Sequence, residues 1–169
     1  MTIFVALLGS INVGGTGLLP MQELAALCTG IGLKAVRTYI QSGNVIFESP
    51  LSEKAVKTKL EQALARKMGK PIGVLIRSAS ELRATLEANP FPDAKPSQVG
   101  VVFMDGPVPA DFTERLKIPG REEERPVGRE IFVHFPDGMG QSKLKLPITG
   151  ARTTRNLNTV AKLIAMTAA

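Results

Sequence analysis

The sequence has few of the side chains that most often carry catalysis or hold metal ions. Its 169 residues include one cysteine, Cys28, one histidine, His134, and no tryptophan. One cysteine excludes an internal disulfide framework, and together with a single histidine it cannot complete a closed zinc site. The apolar N-terminal run, residues 3–8, is too short for a signal peptide or a membrane span. These absences predict no metal, no cofactor, no membrane partner and a cytoplasmic location.

The candidate catalytic side chains that are present fit structural roles better. His134 stands in the alternating stretch 130–135, which is typical of a half-buried strand, and Cys28 falls on the apolar stripe of a predicted helix. The acidic run 122–124 lies between two arginines, a pattern typical of a solvated loop rather than of a paired acid and base. We therefore name no catalytic residue, and the interpretation leans away from an enzyme.

Acidic residues are absent from residues 138–169, although this stretch holds Lys143, Lys145, Arg152, Arg155 and Lys162. The whole chain has a formal charge of +6 and a pI near 9.7, which favours acidic partners but also serves solubility. We predict a helix that opens at Thr153-Thr154-Arg155-Asn156, where unpaired N–H groups and a partial positive charge favour an anion. Arg155, Asn156 and Lys143 are therefore candidate ligand-binding residues, unless the cations only keep a surface helix soluble.

The N-terminal half alternates strand and helix patterns in the order βαββαβ. Strands are predicted at residues 3–8, 35–40, 44–48 and 72–76, and helices over 20–31 and from Ser52 to Met68. This order is typical of a ferredoxin-like unit and places the first and third strands in the centre of the sheet. We therefore predict an α+β fold whose first unit spans residues 1–89. Its first strand is apolar on both faces, so the face without helices also needs cover.

The second half is predicted to form a smaller α/β unit over residues 98–169, packed on the first unit to make one compact whole. Strands are expected at 99–104 and 130–135, with a helix at 110–116 and a final helix whose inward residues are Leu157, Val160, Ala161 and Ile164. No sequence repeat between the two halves suggests a duplication.

Two loops of the first unit are candidates for ligand contact. The glycine-rich loop 9–17 follows a strand and precedes a helix, where backbone N–H groups can cradle a phosphate, and it includes Asn12, Gly14 and Gly15. It lacks the G-x-x-x-x-G-K-S/T and G-x-G-x-x-G patterns, so a flexible turn is the alternative. The next hairpin holds Tyr39, Gln41, Ser42 and Asn44, which either converge near that loop or only make a turn.

Five separated segments carry a family resemblance. They are Leu7-Leu8, Ile11-Asn12-Val13-Gly14-Gly15, Thr38-Tyr39-Ile40-Gln41-Ser42-Gly43-Asn44-Val45, Pro136-Asp137-Gly138-Met139-Gly140 with Ser142-Lys143-Leu144, and Arg155-Asn156 with Thr159-Val160 and Lys162-Leu163. In this order they resemble bacterial domain-of-unknown-function family 1697 over nearly the whole chain. The resemblance implies a cytoplasmic α/β protein related to ferredoxin-like folds and brings no established activity. Members usually have Arg-Gly where this chain has Gly9-Ser10, and a tryptophan where it has Leu157.

Two functional hypotheses of different class follow from the sequence. The first is a binding module for a phosphorylated or other anionic ligand, a nucleotide or nucleic acid, held by the glycine-rich loop and the start of the C-terminal helix. The second is a structural or protein-interaction module that acts through its sheet, with a homo-oligomer as one form. The missing family arginine and tryptophan remove any ligand contact that those two side chains would make.

Overall fold

The computed structural model describes residues 1–9, 19–39, 43–139, 142–147 and 152–168 of the chain. The chain separates into two compact units, Met1–Leu82 with Leu163–Ala169, and Arg83–Lys162. The division falls within the third helix and within the last one. The domain limits 1–89 and 98–169 stay predictions of the sequence.

The first unit has the predicted βαββαβ order. Its elements are β1 (Thr2–Leu8), α1 (Met21–Gly30), β2 (Lys34–Tyr39), β3 (Asn44–Ser49), α2 (Glu53–Met68) and β4 (Val74–Ser78). The four strands form an antiparallel sheet in the order β2-β3-β1-β4, so the first and third strands are central, as the sequence predicted. The α+β class is thereby confirmed.

The apolar pattern of β1 explains why it occupies the centre of the sheet. Phe4, Ala6 and Leu8 share one hydrophobic core with the buried residues of α1 and α2. On the opposite face, Val5 and Leu7 are also fully buried. Residues on both faces of the strand are therefore buried.

Local capping fixes the ends of α2. The Ser52 hydroxyl accepts a hydrogen bond from the Ala55 N–H at 3.2 Å, which satisfies one of the free donors of the first turn. At the other end, Gly69 adopts a φ of 71°, a left-handed conformation that costs glycine far less than other residues. Helix α2 therefore begins and ends where the sequence places its cap and its glycine.

The second unit repeats the strand order of the first. Its elements are a 3₁₀ turn (Pro96–Gln98), β5 (Val99–Met104), α4 (Phe112–Arg115), β6 (Glu123–Val127), β7 (Glu130–His134) and β8 (Arg152–Asn156), together with parts of the two helices that the division crosses, α3 (Ala79–Glu87) and α5 (Leu157–Thr167). The antiparallel sheet runs β6-β7-β5-β8, which is again second, third, first and fourth strand of the unit. The two units thus share a topology, although no sequence repeat between them predicted it.

The second unit differs from the first between β7 and β8. A helix connects the third and fourth strands of the first unit, whereas described residues 135–139 and 142–147 contain no α-helix. Instead, Leu144 and Leu146 pack against a core formed by Val102, Ile131, Val133 and neighbouring apolar residues. The extended segment 142–147 therefore covers the sheet where the first unit has a helix.

Two sequence predictions in this unit are wrong. The acidic run 122–124 leads into edge strand β6 rather than forming a solvated loop, because the strand pairs with β7 along its length. Pro126 is tolerated there since an edge strand has one side without a hydrogen-bonding neighbour. Residues 152–156 form strand β8 rather than the start of a helix, because they pair with β5 and include two β-branched threonines.

The last helix also differs in detail from its prediction. Leu157, Val160 and Leu163 are its buried apolar residues, whereas Ala161 is exposed and Ile164 is only half buried. The buried stripe continues to Thr167, one turn beyond Leu163. In the part of the chain that the structure describes, no helix is long and apolar enough to cross a bilayer.

Candidate functional site

Most of the predicted ligand residues of the first unit lie outside the described residues. These are Asn12, Gly14, Gly15, Gln41 and Ser42. Tyr39 and Asn44 are described and face each other across the β2–β3 pair, where the Asn44 side-chain amide donates a 2.9 Å hydrogen bond to the Tyr39 carbonyl oxygen. Asn44 is completely buried, so its observed contact ties the two strands together.

The described ends of the two candidate loops are adjacent. The Leu8 N–H donates to the Gly43 carbonyl oxygen at 2.9 Å, which places the end of β1 beside the β2–β3 hairpin. Gly43 has a φ of 81°, as a tight turn requires. Ligand contact by these loops stays a prediction of the sequence.

Arg155 lies in a different environment from the one that the sequence predicted. It is a residue of β8, is 7% exposed, and donates from Nη1 to Thr153 Oγ1 at 2.6 Å and to the Thr154 carbonyl oxygen at 3.0 Å. Burial lowers the pKa of its guanidinium to about 10. The positive charge of Arg155 is therefore buried in β8 and does not lie at the N-terminus of a helix.

Asn156 caps the helix that follows β8. Its side-chain oxygen accepts a 2.9 Å hydrogen bond from the Thr159 N–H. The cap occupies one of the donors that an anion would have used. Correcting the helix start thus removes much of the physical reason for an anion site at this point.

Arg155 and Lys143 lie on opposite faces of the second sheet. Arg155 pairs with Val101, whereas Leu144, the neighbour of Lys143, packs against the face that carries Val102. Adjacent residues of a strand point to opposite faces, so the sheet separates the two cations. The structure therefore does not bring these two predicted ligand residues together.

Lys143 instead lies with Lys145 on the outer side of segment 142–147. The two lysines are exposed, and the alternating Leu144 and Leu146 are half buried against the sheet. Ser142 fixes the start of the segment, since its hydroxyl accepts a 3.1 Å hydrogen bond from the Leu144 N–H. The period-two alternation Lys-Leu-Lys-Leu therefore directs both ammonium groups to the same side.

A cavity of about 430 Å³ lies between this segment and the segment that follows α4. Four cations line it, Arg115 and Lys117 from one wall and Lys143 and Lys145 from the other. At one end the walls are joined by a 3.2 Å hydrogen bond from Arg115 Nη2 to the Pro147 carbonyl oxygen. We call this cavity the basic cleft.

The charge of the basic cleft is largely uncompensated. Among described residues, no acidic side chain lines the cleft, and Lys117, Lys143 and Lys145 form no ion pair. Arg115 is the exception, since its Nη1 lies 3.5 Å from Asp111 Oδ1 outside the cleft. Like charges held close together repel, and an anion bound between them removes that repulsion.

A smaller cavity of about 160 Å³ adjoins the basic cleft, with which it shares Pro119 and Lys143. Glu122 lines it and accepts a 2.8 Å hydrogen bond at Oε1 from the Ser142 hydroxyl. Its other oxygen, Oε2, is buried and has no hydrogen-bond donor in the described part of the chain. We call this cavity the acidic pocket.

A second carboxylate, that of Asp137, lines the acidic pocket, and unlike Glu122 it is fully paired. Asp137 accepts hydrogen bonds from the Arg121 guanidinium, at 3.2 Å from Nε and through Nη2. The hydrogen bond from Arg121 holds the pKa of the Asp137 carboxyl below its ordinary value. Asp137 is thus satisfied by its partner, whereas Glu122 has one oxygen without a donor.

Cys28 and His134, for which the sequence analysis favours structural roles over catalysis, lie in surroundings that fit such roles. Cys28 is completely buried, and burial raises the pKa of its thiol to about 12. His134 is half buried at the end of β7, with its ring centroid 5.6 Å from that of Phe91. Within the described residues, no group of three or more His, Cys, Asp or Glu side chains could hold a metal ion.

Comparison with known proteins gives the family of the chain. A family model described as "Protein of unknown function (DUF1697)" matches residues 1–132. The chain belongs to the DUF1697 family. This confirms the family resemblance, and the matched residues include the first three of the five sequence segments. The two lysines of segment 142–147 lie beyond the residues that the DUF1697 model matches.

A solved structure is similar in fold. The chain is similar to the conserved bacterial protein SP0830 from Streptococcus pneumoniae, with 26% identity and a TM-score of 0.82, over 100% of this chain and 99% of that one. No curated protein matches the sequence. The likeness to the solved protein therefore covers both units of this chain.

Sequence reasoning found one half of the basic cleft and missed the other. Lys143 was a predicted ligand residue, and Lys145 was noted among the cations of the acid-free stretch. Arg115 and Lys117 were not identified, because they lie far away in the sequence and join the lysines only through the fold. The available signal was the alternation of residues 143–146, which places both lysines on one side of an extended segment.

Proposed function

We propose that this DUF1697 protein binds a small phosphorylated or otherwise anionic molecule in the basic cleft. The observation that carries the proposal is the convergence of Arg115, Lys117, Lys143 and Lys145 on one cavity without an acidic side chain in its described lining. Ammonium and guanidinium groups are the usual protein partners of phosphate and carboxylate oxygens. The volume of about 430 Å³ falls within the range of small-molecule pockets.

The lining favours a small molecule over a nucleic-acid strand. Single-stranded nucleic acid is usually held by aromatic side chains on which its bases stack, and no aromatic residue lines the described cleft. Ile118, Leu146 and the two prolines of the walls offer apolar surface next to the cations. This combination suits an anionic head group attached to a short carbon skeleton.

The alternative of interaction through an open sheet face has less support. This alternative requires an apolar face of β1 that stays exposed until a partner binds. However, Val5, Leu7 and Ile46 are fully buried. The described part of the first sheet therefore presents no bare apolar face at its centre.

Calorimetric titration with inorganic phosphate and pyrophosphate at low salt tests the proposal. We expect binding to wild type and a loss of about tenfold, or about 1.4 kcal/mol, in Lys143→Ala/Lys145→Ala. Lys54→Ala/Lys59→Ala is the matched control, because it removes the same charge from exposed positions on α2. Absence of binding to wild type, or an equal loss in the two double variants, would overturn the proposal.

A further inference from the structure

The basic cleft and the acidic pocket are neighbouring cavities that share part of their lining but differ in the charged groups around them. Pro119 and Lys143 line both cavities. Arg115, Lys117 and Lys145 line only the basic cleft, and Glu122 lines only the acidic pocket. A molecule that occupies both cavities therefore meets cations in one and a carboxylate in the other.

The Glu122 carboxylate is incompletely satisfied in the acidic pocket. Oε1 accepts from Ser142, but Oε2 has no donor in the described chain. A buried carboxylate oxygen without a hydrogen bond is costly, and a donor supplied from outside the chain removes that cost. The pocket is thus built to favour a ligand that donates a hydrogen bond or carries positive charge.

Oε2 of Glu122 is enclosed beside Gly120. It packs against this glycine so closely that a Cβ there would lie 2.9 Å from it. A ligand therefore reaches Oε2 only after the carboxylate rotates, and the terminal torsion of a glutamate has a broad preference that permits such a rotation. Any side chain at position 120 would occupy the space into which the carboxylate now fits.

We infer that the ligand of the basic cleft is a phosphorylated small molecule that also carries a primary amine, whose ammonium group is recognised by Glu122. This inference rests on the proposed function, because the phosphate is held by the cations of the cleft. Lys143 lines both cavities, so it lies beside a ligand that occupies the two. The ammonium group replaces the donor that Oε2 lacks, and its charge is opposite to that of the carboxylate.

Two probes of nearly equal size test the inference, namely ethyl phosphate and O-phosphoethanolamine, which differ by the ammonium group. We expect wild type to bind phosphoethanolamine about tenfold more tightly in calorimetric titrations at neutral pH. In Glu122→Gln the preference is expected to vanish while the affinity for ethyl phosphate stays within about twofold. The glutamine retains an oxygen that accepts from Ser142, so segment 142–147 keeps its anchor.

The possible outcomes separate the two proposals. Equal affinity of wild type for both probes would overturn the amine inference and leave anion binding intact. Failure of both probes to bind would overturn the proposed function itself. Should Glu122→Gln not fold, as judged by circular dichroism, the preference of wild type still decides the question, and Lys143→Ala/Lys145→Ala is expected to weaken both probes alike.

Discussion

The hydrogen bond between Ser142 and Glu122 is expected to hold the lysine segment against the second sheet. The Ser142 hydroxyl donates to Glu122 Oε1 at 2.8 Å and accepts from the Leu144 N–H at 3.1 Å. Ser142→Ala removes both interactions and leaves the second carboxylate oxygen without a donor as well. A hydrogen bond to a charged group contributes about 1.5–3 kcal/mol when it is buried.

The loss of stability in Ser142→Ala is expected to be smaller than the full value of a hydrogen bond to a charged group. The reason is that Glu122 is only partly buried, so water can replace some of the lost contact. We expect Ser142→Ala to lower the free energy of unfolding by about 1–2 kcal/mol in urea titrations. Ser97→Ala, at an exposed serine with no observed side-chain hydrogen bond, is the control and should change stability by less than about 0.5 kcal/mol.

A double-mutant cycle isolates the interaction itself. Combining Ser142→Ala with Glu122→Ala should reveal a coupling of about 1 kcal/mol, since either single change already removes the bond. A coupling within about 0.3 kcal/mol of zero would refute the reasoning. Phosphate titration supplies a second readout, because a loosened segment should hold its two lysines less well and bind the anion more weakly.

Other expectations concern stability and reactivity. Gly69→Ala should destabilise the protein by about 1 kcal/mol in urea unfolding, because φ is 71° there, whereas Ala35→Gly, at a φ of 48°, should leave stability unchanged or raise it. Cys28 should resist thiol reagents until the protein unfolds, since its pKa is raised to about 12, and rapid labelling of native protein would contradict this. The lowered pKa of Asp137 implies a stabilising contribution that is present above the unfolded pKa and is lost as pH falls through the folded value. Carboxyl NMR titration should place that pKa below the value measured in Arg121→Ala.

The sequence was informative where apolar periodicity was strong. Strand β1 and helix α2 follow directly from their patterns, and the observed strand order follows from the βαββαβ sequence of elements. Strands β6 and β8 were missed because their residues are mostly charged or polar. Their structure depends on pairing with β7 and β5, which local propensity does not reveal.

The candidate site shows the same limit. The absence of acidic residues from 138–169 indicated Lys143 as a ligand residue. The helix start predicted at residues 153–156, which is wrong, placed Arg155 in the same site. The strand assignment of residues 152–156 places Arg155 on the other face of the sheet, and the fold brings Arg115 to Lys143 instead. A site assembled from separated segments requires the register of the strands, which composition does not supply.

The division of the last helix has a consequence for synthesis on the ribosome. Residues 163–169 group with residues 1–82, and Thr167 lines a cavity of about 290 Å³ together with Ile3 and Val36. Contacts between such distant parts of a chain form slowly, and they cannot form until translation has reached residue 167. The main core of the first unit can therefore form early, whereas its contacts with residues 163–169 form only late in synthesis.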